Sequence, residues 1–138
     1  MDPYTKNLLI LTAWIEAITG LILISSPSLL AMLLLGTSLK SPAAIIVARL
    51  AGAALVTLGI ACWLARSDEQ RQAVRKIVAA MLFYNCAAVA VIISARFGQG
   101  LSGICLWPAV VLHAGMAVWC GASIQKHRCK AFNLNNQP

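Results

Sequence analysis

Apolar residues in this chain come in long blocks, not at the two- or 3.6-residue spacing of a soluble strand or helix. The blocks cover residues 8–25, 43–64, 77–95 and 104–124; polar segments separate the later ones, and residues 26–42, between the first two, enclose a shorter apolar run at 29–35. A bilayer core about 30 Å thick needs roughly 20 mostly apolar residues of helix, and these blocks approach or meet that length. The pattern predicts an all-α integral membrane four-helix bundle, a single membrane domain over residues 1–130 followed by a disordered tail at 131–138.

Local signals refine the boundaries. Ser26, Pro27 and Gly36 suit an N-cap, a first helical position and a C-terminal stop. The residues between, 28–35, are too few to cross the bilayer. They predict a short interfacial or re-entrant helix between spans one and two, with a kinked extension of span one at Pro27 as the alternative. Ser67 and Gln70 have capping-box spacing, predicting a helix that begins near Asp68 and continues into span three. The glycine-rich RFGQGLSG, residues 96–103, predicts the turn before span four. In span two, Ala48, Gly52 and Gly59 form a stripe of small residues that permits close helix approach.

Composition agrees with the pattern. Of 138 residues, 60% are hydrophobic and 11% charged, against about 25% charged in a soluble domain. The net charge of +7 is not a nucleic-acid signal, because the basic residues lie at span ends. They read as topology and as contacts to anionic headgroups. Lys6, Arg66, Arg71, Arg75, Lys76, Lys126, Arg128 and Lys130 fall on one side, and Lys40 and Arg96 on the other. The bias places both termini in the cytoplasm and the chain in a cell inner membrane as a multi-pass protein. The first apolar run exceeds a signal-peptide core, contains Glu16 and is followed by Pro27, so it is expected to remain as a span. Five cysteines without a CxxC read as small buried apolar residues, with no spacing that supports a disulfide or a thiolate metal site.

Each span carries one conspicuous polar residue: Glu16, Arg49, Asn85 and His113. At about 1.5 Å of rise per residue, each lies roughly 9–14 Å from the membrane edge where its helix enters. An ionisable group at that depth costs about 2.5–3.5 kcal/mol on insertion scales, and such groups pair with one another. Glu16 and Arg49 are the expected ion pair, with Asn85 and His113 able to complete a polar cluster or ligand-binding site. Thr12, Glu16, Thr19 and Gly20 share one face of span one, which suits packing against other helices.

Two functions remain open from these residues. One is a non-enzymatic accessory or structural membrane protein whose polar core is structural. The other is a small proton-coupled transporter or small-molecule-binding membrane protein that uses Glu16. A haem site through His113 lacks a second histidine in the bundle, because His127 lies in the C-terminal tail. Catalytic triads, phosphate-binding glycine loops and paired carboxylates are missing from the sequence, so no catalytic residue, metal or cofactor is assigned. The expected partners are the lipid bilayer and other membrane subunits or a second copy, not nucleic acid.

The segments ARLAGAALVTLGIACWLAR, residues 48–66, and LWPAVVLHAGMAVW, residues 106–119, resemble small four-span bacterial membrane proteins of the DoxX-like group. That resemblance implies a four-helix bundle; no residue matches a motif that would carry over the respiratory role found in part of that group. The start, MDPY followed by Ile15-Glu16-Ala17, is similar to small multidrug-resistance transporters. In that family a first-span glutamate exchanges protons for cationic drugs, which implies a proton-carrying Glu16. The rest of the chain departs from that pattern: Arg49 has no equivalent in it, and the charge bias opposes dual insertion.

The topology makes a direct prediction. Cysteines introduced at Lys40 and Arg96 are expected to react with an impermeant maleimide added outside the cell; labelling only from the cytoplasm refutes the arrangement.

Overall fold

The computed structural model describes residues 3–67 and 71–135, with side chains for residues 3–67 and 72–126. Five helices follow one another: α1 (Pro3–Ser25), α2 (Pro27–Leu35), α3 (Pro42–Ala65), α4 (Arg71–Gln99) and α5 (Leu106–Asn135). Four of them, all but α2, are long and apolar enough to cross a membrane. The chain is thus all-α with four candidate spans, as its hydrophobic blocks require.

Proline opens α1, α2 and α3. It fits there because its ring presets a helical φ and the missing N–H has no intrahelical partner at a first position. Ser26 breaks the chain between α1 and α2 with non-helical backbone angles, so α2 is a separate helix and not a bent continuation of α1. Gly36 ends α2 in the left-handed conformation (φ 76°), its N–H donating to the Met32 carbonyl at 2.9 Å. Glycine reaches that region without a Cβ penalty. The capping box expected at Ser67–Gln70 involves Asp68 and Gln70, which lie outside the described residues. The helices of spans three and four run past their expected ends at 95 and 124. α5 continues through residues 131–135, which the sequence assigned to a tail.

The helices associate as two close pairs, α1 with α3 and α4 with α5. The α1–α3 contact is a backbone-to-backbone approach at glycines. A Cβ on Gly20 would lie 2.6 Å from the Gly52 carbonyl oxygen, one on Gly52 would lie 2.7 Å from that of Gly20, and one on Gly59 would lie 2.9 Å from that of Ala13. On α3 the buried residues form the narrow stripe Gly52, Gly59, Cys62 and Ala65, and most of the remaining surface is exposed.

The two pairs join at the end that holds the α1 N-terminus. Leu8, Leu9 and Ala13 from α1 meet Cys62 and Ala65 from α3, Val74, Val78 and Met81 from α4, and Met116 and Cys120 from α5. Thr5 and Ser123 share a buried 2.7 Å hydrogen bond there and fix α1 against α5. At the opposite end α2 makes the connection, with Pro27 and Ala31 buried. Its final carbonyls, which a helix leaves without partners, accept from the α4–α5 loop. Ser102 N–H donates to Leu35 (3.1 Å), Gly103 to Leu34 (3.3 Å) and Cys105 to Leu33 (2.8 Å).

Glycines at the α1–α3 contact and on the open faces of α5 are expected to respond oppositely to alanine. Gly52→Ala and Gly59→Ala should each lose about 1–3 kcal/mol through overpacking. Gly115→Ala and Gly121→Ala, whose new methyls meet nothing within 4 Å, should be neutral or gain up to about 1 kcal/mol from helix propensity. Thermal unfolding in detergent measures both.

Candidate polar core site

The buried face of α1 carries Thr5, Thr12, Glu16 and Gly20. This is the face expected from the helical wheel, and it points Glu16 away from lipid, leaving it 3% exposed. The Thr5–Ser123 bond sets the depth of its neighbours. Eleven residues along α1 from Thr5 is Glu16, and ten residues back along antiparallel α5 from Ser123 is His113. Both side chains therefore reach one layer, just beyond the apolar core.

α4 fills the gap between them. Tyr84 donates its hydroxyl to Glu16 Oε2 at 3.3 Å, and its ring meets His113 edge-on with centroids 5.8 Å apart. The next residue, Asn85, is 1% exposed and faces His113, with 2.8 Å between His113 Nδ1 and Asn85 Oδ1. Asn85 Nδ2 donates to the Met81 carbonyl at 2.8 Å, within its own helix.

These bonds assign the proton on the imidazole. A carbonyl can only accept, so the Met81 contact fixes the Asn85 amide with its nitrogen toward α4 and its oxygen toward α5. The oxygen also only accepts, so His113 carries a hydrogen on Nδ1, and Nε2 is the nitrogen left to bind or release a proton. Thr12, one turn before Glu16 on the same face, is buried with its hydroxyl unpartnered among the described residues.

Three of the four polar residues expected from the sequence, Glu16, Asn85 and His113, therefore converge, and Tyr84 links them. Arg49 does not join them. It is exposed on α3 and makes no ion pair with Glu16 among the described residues. The reason is register. Glycine contacts between Gly20 and Gly52 and between Ala13 and Gly59 put Glu16 level with about residue 57 of α3. Arg49 then lies about eight residues, roughly 12 Å, farther along the axis. The ion pair expected from the sequence is replaced by the tyrosine hydroxyl. Tyr84 is one of only two tyrosines, and a buried acid's need for a donor was the signal that could have singled it out.

Cys62 and Cys120 are fully buried in the apolar core, Cys86 and Cys105 are not, and all four are free thiols. No group of three His, Cys, Asp or Glu side chains that could hold a metal occurs among the described residues. Comparison with protein-family models, characterised proteins and solved structures gives no match.

Double-mutant cycles test the arrangement. Glu16→Gln and Tyr84→Phe should couple by about 0.5–3 kcal/mol in unfolding free energy, whereas Glu16→Gln and Arg49→Met should add to within about 0.5 kcal/mol. Nitrogen-15 NMR of the histidine rings should show His113 with its hydrogen on Nδ1, a state that Asn85→Leu releases.

Proposed function

We propose that the chain is a multi-pass inner-membrane protein with no catalytic chemistry of its own. It acts as an accessory subunit that joins a neighbouring membrane chain through the outward face of α3. The contacts of Glu16, Asn85 and His113 favour a structural core, since each is held by another span or by its own helix. On this reading α2 lies at the outer membrane interface and both termini are cytoplasmic.

The observation that carries the proposal is the position of Arg49. It sits seven residues into α3, roughly 10 Å along a helix of about 36 Å that must cross a core of about 30 Å. It is exposed between Ile46, Val47 and Leu50, which are 66–71% exposed. Charged residues inside spans face a protein interior or a cavity and have partners. Among the described residues Arg49 has neither, and its guanidinium suits a carboxylate or backbone carbonyls presented by a second transmembrane segment.

Native mass spectrometry from mild detergent tests this. Wild-type protein is expected as an assembly with a second membrane chain. Arg49→Leu is expected as a folded monomer, no less stable than wild type in isolation because Arg49 makes no hydrogen bond or ion pair among the described residues. Assembly unchanged by Arg49→Leu, or a monomeric wild type, overturns the accessory role.

A further inference from the structure

The surface of the α1–α3 pair nearer the chain's N-terminus carries a groove that the polar core does not use. It is lined by Ala13, Trp14 and Ala17 of α1 and by Gly59, Ile60 and Trp63 of α3, almost wholly apolar. The small residues make its floor, and the two indoles stand beside them, packed edge to face against each other with centroids 6.1 Å apart. Trp14, Ile60 and Trp63 are 57%, 53% and 39% exposed, so the groove opens outward from the bundle.

Two cations stand at its mouth. The Arg66 guanidinium lies 3.5 Å over the Trp63 ring, one turn beyond the groove toward the membrane edge. One of its nitrogens donates to the Trp63 carbonyl, which holds the side chain in place and, among the described residues, leaves other N–H groups able to bind an anion. Lys6, exposed on α1, lies seven residues before Ala13 and eleven before Ala17. Steps of seven and eleven residues return a helix to within about 20° of the same face, so Lys6 stands above the groove floor. The antiparallel register set by Gly20–Gly52 and Ala13–Gly59 brings Lys6 to about the level of Arg66 along the axis.

We propose that this groove is a binding site for an anionic phospholipid, with one acyl chain along Ala13, Ala17 and Gly59 beside the paired indoles and the phosphate held by Lys6 and Arg66. The occupant follows from the lining. An apolar groove inside the hydrocarbon, bounded at the water boundary by two positive charges, matches an acyl tail under a negative headgroup. A zwitterionic headgroup brings its own ammonium with its phosphate and adds no net negative charge, and a second copy of this chain would set like charges against each other. The site lies at the opposite end of α3 from Arg49 and does not depend on the accessory role.

Quenching by brominated lipid tests the site. A Trp107→Phe, Trp119→Phe background leaves Trp14 and Trp63 as the only indoles, and circular dichroism checks its fold. The protein is reconstituted in phosphatidylcholine vesicles in which one component, phosphatidylglycerol or phosphatidylcholine, is brominated at equal mole fraction. Brominated phosphatidylglycerol is expected to quench more strongly, with an apparent local enrichment of about fivefold for each contributing cation. Lys6→Gln with Arg66→Gln should make the two lipids equivalent while leaving quenching by brominated phosphatidylcholine in place. Equal quenching in the parent protein, or an excess that survives the double substitution, overturns the proposal. So does weak quenching by both lipids that rises as the protein is diluted into lipid, which would place a second copy in the groove.

Discussion

The close approach of α1 and α3 at Gly20, Gly52 and Gly59 sets the rest of the structure. Lipid tails are as apolar as leucine, so two spans gain little by hiding apolar surface from them and must gain by packing. Removing the side chains at three points lets the backbones touch, and atoms at those points then fix both register and rotation. Rotation turns the Thr12–Glu16 face of α1 toward α4 and α5. Register carries Arg49 well past Glu16 along α3. One contact thus decides which charged group is inside and which is outside.

With Glu16 turned inward and Arg49 out of reach, the acid is held by hydrogen bonding instead of by an opposite charge. Tyr84 reaches it from α4, and the neighbouring Asn85 holds His113 from α5. Adjacent residues of one helix point about 100° apart, which is how α4 serves α1 and α5 together. The polar core is therefore a junction of three spans, α1, α4 and α5. α3 attaches only along its small-residue stripe and exposes a wide apolar arc interrupted by Arg49. That asymmetry distinguishes the face available for assembly from the face used for folding.

Backbone hydrogen bonding supplies the second junction. α2 cannot cross the bilayer, yet its C-terminal carbonyls must be satisfied. The α4–α5 loop does this with three N–H groups, at positions where Gly36 and Gly103 leave no space for a side chain. The two helix pairs are consequently tied at both ends, by apolar packing and the Thr5–Ser123 bond at one and by this loop at the other.

Residue order alone determined the elements. Long apolar blocks require membrane helices, because every backbone polar group in hydrocarbon must be satisfied within its own segment. Prolines and glycines at the block edges mark where helices begin and end. The buried face of α1 was legible too, because Thr12, Glu16 and Gly20 recur at helical spacing. Tertiary structure decided the partners. Helical periodicity fixes angles within a helix but says nothing about the register between two of them, and a slide of two turns separates a Glu16–Arg49 pair from the Glu16–Tyr84 contact observed. Tyr84 stayed hidden because an aromatic residue in an apolar span reads as packing until its hydroxyl is seen beside an acid. Arg49, legible from the start as an anomaly, had its direction set only when the glycines brought α3 against α1.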